Sequence, residues 1–148
     1  MVITTKKGDL GLSDIKDNRL SKDELVFEVL GTIDETIAHI VLCQSITKND
    51  EFKQIVDDLS TIAAIISGYK NLFEHERIQK LDHKIVTFHH INIFSYPYND
   101  YNKSIINVTR TIVRRLERVY WQYHKINNID DNVGIYLNRL SDYLFTFI

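Results

Sequence analysis

The stretch "IINVTRTIVRRLERVYWQY", Ile105 to Tyr123, has the periodicity of a long amphipathic helix. Its apolar residues recur at intervals of three and four, which places them on one helical face. They are Ile105, Val108, Ile112, Leu116, Val119 and Tyr123. Arg114 lies about 200° around the helix from Ile112 and should point away from that face. Because an apolar face must be buried against other elements, the stretch predicts a helical bundle.

Four further stretches show the same helical spacing. Their apolar residues are Val26, Val29, Leu30, Ile33, Ile37, Ile40 and Val41; Phe52, Ile55, Leu59, Ile62 and Ile66; Ile78, Leu81 and Ile85; and Val133, Tyr136, Leu137, Leu140, Leu144 and Phe147. The second stripe ends near Gly68, and a shorter helix is expected from about Glu74 to Thr87. The one long connection, around Ile91 to Asp100, contains Pro97. The sequence therefore predicts an all-α five-helix bundle, with residues 1–148 as a single domain and an N-terminal loop along it.

Composition narrows the classes of function. A net charge of −2 over 148 residues provides no global attraction to nucleic acid or to a membrane surface, so neither is expected as a partner. No apolar run reaches the length of a transmembrane helix. Cys43 is the only cysteine and lies in an apolar-periodic run, which indicates a buried core residue. Without a possible disulfide, a reducing, cytoplasmic compartment is expected.

The polar side of the long helix carries three arginines at steps of four. Arg110, Arg114 and Arg118 share a face with Asn107 and Glu117. One interpretation is a solvated face on which Glu117 is the local partner. The other is an anion site, because a guanidinium stays charged and binds phosphate oxygens in a bidentate way. The helix alone leaves both interpretations open.

The N-terminal segment "TTKKGDLGLS", Thr4 to Ser13, offers a complement to those arginines. Glycines at positions 8 and 11 allow positive φ and a close backbone approach, so that successive amides can converge on an anion. Lys6 and Lys7 add positive charge, and Ser13 adds a hydroxyl. The Walker spacing is absent, so this is not the common P-loop. Together with the arginine face, the segment predicts a polyphosphate site.

Five blocks of the chain resemble the PduO-type ATP:cob(I)alamin adenosyltransferase family, in that family's order. They are "TKKGDLGLS" (Thr5–Ser13), "RLSKD" (Arg19–Asp23), "GTIDE" (Gly31–Glu35), "RTIVRRLER" (Arg110–Arg118) and "YLNRLSD" (Tyr136–Asp142). The fourth is similar to the family's R-T-x-x-R-R-x-E-R helix, and it and the last block are the most specific. The resemblance covers nearly the whole chain; the middle, roughly residues 45–90, matches in pattern only.

This resemblance implies a five-helix bundle that assembles as a homotrimer. ATP, with Mg²⁺, would bind between the N-terminal loop of one subunit and the arginine helix of its neighbour, with the corrinoid (cobalamin or a relative) beside it. The implied reaction is attack of a Co(I) corrinoid on the 5′ carbon of ATP, after a reductase has supplied Co(I). The residues that the resemblance assigns to ATP are Thr5, Lys6, Lys7, Gly8, Ser13, Lys22, Arg114, Arg115, Glu117, Arg118 and Asn138.

The resemblance also assigns three residues to assembly and catalysis. Asp34 and Arg110 match a pair that forms a salt bridge between subunits. Phe94 matches the phenylalanine that closes the lower face of the corrinoid, which excludes the lower ligand and leaves a four-coordinate Co(II) that is easier to reduce. The segment "FSYPYN" departs from the family pattern Phe-x-x-Pro-Gly-Gly, since Tyr98 and Asn99 replace the two glycines. A non-catalytic relative that binds ATP or a corrinoid as a sensor or carrier is the alternative.

Two other motifs allow chemical interpretations. His89 and His90 could suggest a metal site or a lower cobalt ligand, but no cysteine or carboxylate stands at ligand spacing, so a loop or helix-end role and no protein-held metal are predicted. Tyr120 and Tyr123 could form a stacking platform, but they continue the apolar stripe, which favours a core or subunit contact.

Overall fold

The computed structural model describes residues 3–88 and 95–148. This part of the chain forms five α-helices, α1 (Leu25–Thr47), α2 (Glu51–Ile66), α3 (His75–Thr87), α4 (Tyr101–Asn127) and α5 (Asp131–Phe145). A small antiparallel hairpin, β1 (Leu12–Ile15) and β2 (Asn18–Ser21), precedes them. The predicted bundle of five helices is confirmed.

Local chemistry explains where the long helix begins and ends. The Asp100 side chain caps α4 by accepting a hydrogen bond from the Lys103 amide at 3.0 Å. At the other end Asn128 adopts φ 47°, and its amide donates to the His124 carbonyl. Asparagine tolerates this left-handed conformation better than most residues, so it terminates the helix. Asp130 then caps α5 by accepting from the Asn132 amide.

The helices share one buried core, in which α4 packs between α1 and α5. Most residues of the predicted stripes are buried or half-buried, and Cys43 is fully buried, as expected. Tyr120 is fully buried, and its hydroxyl donates to the Asp130 carbonyl at 2.5 Å, which confirms its role in the core. Val41 and Val108 are exceptions, since 47% and 46% of their surface is exposed. Assigning these two valines to the core stripes was wrong for the single chain.

The hairpin is the element that sequence reasoning missed. Leu12 pairs with Ser21 and Ile15 with Asn18, which leaves a two-residue turn in which Lys16 has φ 51°. The Lys16 ammonium donates to the Gly68 carbonyl at 2.9 Å, and this bond attaches the hairpin to the end of α2. The N-terminal segment is therefore an ordered loop followed by a hairpin. No helix in the described ranges is both long and apolar enough to cross a membrane.

Candidate functional site

The arginine face of α4 lies at the surface of the chain, as predicted. Arg114 and Arg118 are exposed, whereas Ile112 is buried on the opposite side. Arg118 donates through its guanidinium to the Arg114 carbonyl at 3.0 Å. The Arg114 guanidinium makes no ion pair with any residue in the described ranges. Since an exposed guanidinium without an internal partner retains its full capacity for phosphate oxygens, Arg114 is the best-placed anion ligand on this face.

Arg115 is in a different situation from its neighbour. Its guanidinium pairs with the Glu35 carboxylate on α1, and both side chains are nearly half exposed. This contact joins the two helices within one chain. Sequence reasoning assigned Arg115 to ATP and overlooked Glu35 as its partner, although both residues fall in the quoted blocks. The spacing within α4 could not show the pairing, because the partner lies on another helix.

Burial changes the pKa of two charged groups beside Arg114. Burial raises the pKa of the half-buried Glu117 carboxyl, while the charge of Arg114 opposes that shift. Burial also lowers the pKa of Arg110, and the neighbouring Arg114 charge adds to this effect. Arg110 donates to the Asn107 side-chain oxygen at 3.0 Å, and its guanidinium carbon lies 5.9 Å from the centre of the Phe145 ring. Arg110 is therefore half-buried beside the Phe145 ring, whereas Arg114 is exposed.

Two cationic side chains hold the N-terminal loop, that of Arg19 in β2 and that of Lys22 directly after the hairpin. Arg19 donates to the Lys7 carbonyl at 2.5 Å, and Lys22 donates to the Gly8 carbonyl at 2.9 Å. The ammonium of Lys22 lies so close to Gly8 that a Cβ there would meet it at 2.8 Å. Lys6 adopts φ 58°, a conformation that L-residues avoid unless surrounding contacts impose it. The loop therefore has a defined backbone, with both lysine side chains at positions 6 and 7 exposed.

Within the described part of one chain, the loop is bonded to Arg19 and Lys22 and not to the arginine face. No hydrogen bond or ion pair among the described residues joins residues 3–11 to Arg114, Arg115 or Arg118. Asp34 on α1 and Asn138 on α5 are both exposed, and neither side chain makes a hydrogen bond or ion pair with the described residues of the loop. The predicted ATP residues thus lie on two parts of the fold. One is the loop with Lys22, and the other lies on α4 and α5.

The segment before α4 carries the departure from the family pattern. Asn99 adopts φ 65°, and the Asp100 amide donates to the Pro97 carbonyl at 3.3 Å, so the turn forms without glycine. Ser104 reinforces the turn by donating to the same carbonyl at 3.0 Å. Tyr98 is 81% exposed beside a cavity of about 360 Å³. Phe94, His89 and His90 lie outside the described residues.

A cleft with a volume of about 460 Å³ lies elsewhere, between α2 and α3. Arg77 spans one end, where it pairs with Asp57 and Asp58, and Lys84 pairs with Glu51. These charged groups already have partners, and the cleft contains none of the residues assigned to ATP. The loop and the arginine face therefore remain the candidate functional site.

These features define a class of protein: a five-helix bundle whose N-terminal loop and central helix both present cations suited to a polyphosphate. The cobalamin adenosyltransferase family model matches residues 3–148. The chain belongs to the cobalamin adenosyltransferase family.

Two relatives that resemble this chain are corrinoid adenosyltransferases. A corrinoid adenosyltransferase from Bacillus subtilis (strain 168) is 31% identical over 161 residues, which cover 98% of this chain and 83% of the relative. A corrinoid adenosyltransferase from Citrobacter freundii is 29% identical over 160 residues, covering 97% and 91% respectively. The chain thus spans most of the length of both relatives.

Solved structures show the same fold. A variant of a PduO-type ATP:co(I)rrinoid adenosyltransferase from Lactobacillus reuteri, complexed with ATP, superposes with a TM-score of 0.89 at 27% identity, covering 98% of this chain and 90% of that one. A second variant, complexed with cobalamin and ATP, gives the same TM-score and coverage at 26% identity. The resemblance inferred from the five sequence blocks is confirmed.

Proposed function

We propose that this chain transfers the 5′-deoxyadenosyl group of ATP to the cobalt of a Co(I) corrinoid and releases triphosphate. The observation that carries the proposal is Arg114, an exposed cation that makes no ion pair with any described residue and lies on the helix that matches one of the family's most specific blocks. Family membership and the solved relatives complexed with cobalamin and ATP support it. ATP and a corrinoid are then the two substrates.

The chemistry places modest demands on the protein. The cobalt of the substrate attacks the 5′ carbon of ATP, a cobalt–carbon bond forms, and the carbon–oxygen bond breaks with its electron pair leaving on triphosphate. Co(I) is itself a strong nucleophile, so neither a protein nucleophile nor a general base is required. The chain must orient the 5′ carbon toward cobalt and stabilise the negative charge that develops on the leaving group.

The described residues divide these tasks between two surfaces. The loop supplies positive charge and backbone amides for the triphosphate, while Arg114 and Arg118 supply guanidinium groups from α4. Arg115 is fixed by its pair with Glu35 and therefore has less freedom to follow a nucleotide. The full set that we assign to ATP comprises Thr5, Lys6, Lys7, Gly8, Ser13, Lys22, Arg114, Arg115, Glu117, Arg118 and Asn138.

We propose that ATP binds with Mg²⁺. The N-terminal segment, Thr4 to Ser13, offers two oxygen ligands of the type this ion prefers, the Asp9 carboxylate in the loop and the Ser13 hydroxyl in β1. Neither makes a side-chain hydrogen bond or ion pair with another described residue, so both remain available. No cluster of three metal-ligating side chains occurs in the part of the chain that the structure describes. The ion would therefore be held mainly by the phosphates, whose charge it would reduce.

We also propose that the active unit is a homotrimer. The support is that no hydrogen bond or ion pair between described residues joins the loop to the arginine face within one chain, so that a neighbouring chain can supply the second half of the site. Asp34 is exposed on α1 and is assigned to pair with Arg110 of an adjacent subunit. Light scattering at micromolar concentration should give a trimer. Asp34→Arg should weaken assembly, and adding Arg110→Asp should restore it. A monomeric wild-type chain would contradict the shared site.

On the corrinoid side, we assign Phe94 to the lower face of the macrocycle. Phe94→Ala should leave ATP affinity nearly unchanged, because a phenyl ring offers phosphate no hydrogen-bond donor. It should slow adenosylation most when the reaction starts from Co(II) corrinoid with a reductant, and less from pre-reduced Co(I). The Co(II) spectrum with ATP present is the direct measurement. A four-coordinate signature that is lost in the variant supports the role, whereas a five-coordinate spectrum in wild type contradicts it.

The decisive experiment for the whole proposal is anaerobic incubation with ATP, Mg²⁺ and reduced cobalamin. Loss of the Co(I) absorbance is expected, and Arg114→Ala should slow it. A chain that binds ATP without consuming Co(I) would instead be the sensor or carrier considered above. The segment forms a turn at Asn99 without the two glycines of the family pattern, which supports the catalytic function. A reductase that supplies Co(I), and a cytoplasmic location consistent with the free thiol of Cys43, complete the proposal.

A further inference from the structure

We infer that Arg19 is a positioning residue for the nucleotide loop and that Asp14 holds Arg19 in place for this task. The inference rests on the proposed function, because it takes Thr5 to Gly8 as the part of the chain that contacts triphosphate. Neither Arg19 nor Asp14 is among the residues assigned to ATP. Both belong to the hairpin, the element that sequence reasoning did not predict.

The Arg19 guanidinium makes two contacts, one with each terminal nitrogen. Asp14 and Arg19 stand opposite each other across the hairpin, and their side chains pair at 2.8 Å between Arg19 Nη1 and Asp14 Oδ1. The other terminal nitrogen, Nη2, donates to the Lys7 carbonyl at 2.5 Å. An exposed ion pair of this kind contributes little to stability by itself. Its consequence here is orientation, since a planar guanidinium held at one nitrogen presents the other in a fixed direction.

This contact determines which way the loop amides point. In a trans peptide the carbonyl of one residue and the amide of the next point in opposite directions. Arg19 fixes the Lys7 carbonyl toward the hairpin, so the Gly8 amide must point away from it. That amide has no hydrogen-bond acceptor among residues 3–88 and 95–148. It is therefore a free donor held in place next to two exposed lysines, which is the arrangement that an anion-binding loop requires.

Lys6 provides the second reason to expect a positioning role. Its φ of 58° is unfavourable for a residue with a side chain, so contacts around it must maintain the conformation. The Asp9 amide donates to the Lys6 carbonyl and closes the turn, but the distance of 3.3 Å is long, so this hydrogen bond is weak. The charged bond from Arg19 to the next carbonyl is shorter and stronger. Losing it should release the loop from the conformation that collects positive charge and amides on one side.

The competing explanation is that Arg19 binds phosphate directly and that Asp14 merely restrains it. The two explanations predict opposite effects of Asp14→Asn. If Arg19 is a direct ligand, removing a negative charge near the site frees the guanidinium and should strengthen ATP binding. If Arg19 acts by holding the Lys7 carbonyl, removing its anchor should weaken ATP binding. The sign of the change therefore separates a ligand from a positioning residue.

The test is calorimetric titration of the full-length chain with Mg–ATP and, separately, with adenosine, which lacks the phosphates. The variants are Arg19→Met, Arg19→Lys and Asp14→Asn. Lys16→Met is the matched control, because it removes a bond from the same hairpin to a different carbonyl, that of Gly68. Thermal unfolding of every variant checks that the bundle remains folded.

We expect Arg19→Met to weaken ATP binding about tenfold, as for the loss of one hydrogen bond from a charged donor. Arg19→Lys should recover part of this, and Asp14→Asn should weaken ATP binding about two- to fivefold. Adenosine affinity and the control should change by less than twofold. Unchanged ATP affinity in Arg19→Met, equal loss for ATP and adenosine, or tighter ATP binding in Asp14→Asn would overturn the inference. A wild-type chain that does not bind ATP would refute the proposed function instead.

Discussion

Replacing Arg114 with alanine is expected to weaken ATP binding strongly while leaving the fold intact. The side chain is exposed and makes no ion pair with any described residue, so its removal breaks no salt bridge inside the chain. The hydrogen bond from Arg118 ends on the backbone carbonyl of Arg114 and survives the substitution. The free energy of unfolding should therefore change by no more than about 0.5 kcal/mol.

The effect on ATP follows from the kind of contact that is lost. A hydrogen bond between a guanidinium and a phosphate oxygen contributes about 1.5–3 kcal/mol, which corresponds to roughly ten- to hundredfold in affinity. Arg118 remains on the same face, so binding should be weakened and not abolished. Arg114→Lys should recover only part of the loss, because an ammonium cannot make the forked contact.

The measurement is calorimetric titration with Mg–ATP, and the matched control is Arg139→Ala. Arg139 is also a partly exposed arginine, but it pairs with Asp82 on α3 at 2.7 Å and is not among the residues assigned to ATP. We expect the control to bind ATP as wild type does. If Arg114→Ala leaves ATP affinity unchanged, or if both variants lose affinity equally, the arginine face is a solvated face and the assignment of Arg114 is refuted.

Three further predictions concern the interior of the bundle. Gly134→Ala should destabilise the fold by about 1–3 kcal/mol, because the added methyl would overlap the Trp121 ring; an unchanged midpoint of thermal unfolding would contradict this packing. The hydrogen bond from Tyr143 lowers the pKa of Glu51 below its usual 4.5. The stabilisation that this bond provides is therefore fully present above pH 4.5 and is lost as pH falls through the lowered pKa of Glu51. Tyr143→Phe should therefore lower the midpoint at neutral pH, and its difference from wild type should shrink below about pH 4.5; a constant difference would count against the bond. Burial raises the pKa of the Cys43 thiol, so a thiol reagent should label it only after denaturation, and rapid labelling of native protein would disprove its burial.

Periodicity predicted the helices because it depends on spacing along the chain alone. The expected helix from Glu74 to Thr87 matches α3 to within one residue, and Gly68 follows the end of α2 as expected. The same spacing correctly placed Cys43 in the core and Arg114 on the surface. The spacing wrongly placed Val41 in the core. It shows which side of a helix is apolar, but not how much of that side the neighbouring helices cover.

The hairpin was harder to predict because its strands are only four residues each. Such short runs carry little alternation, and the available signal was the polar turn around Lys16 and Asp17. Glycines and lysines in the preceding segment suggested a loop, which is correct, but they did not show what holds the loop. The anchor is Arg19, whose partners lie five and twelve residues away in the chain.

The sequence by itself determined the helical class, the cation-rich loop, the arginine face and the family. Each of these depends only on which residue types occur at fixed spacings along the chain. The tertiary structure decided which of those cations are already engaged. Arg115 is paired with Glu35, eighty positions away in the chain, whereas Arg114 beside it makes no ion pair with any residue in the described ranges. Such pairings depend on distances between side chains from different elements, and the packing of the whole bundle sets those distances. Adjacent arginines with the same side chain can therefore differ in what they are free to bind.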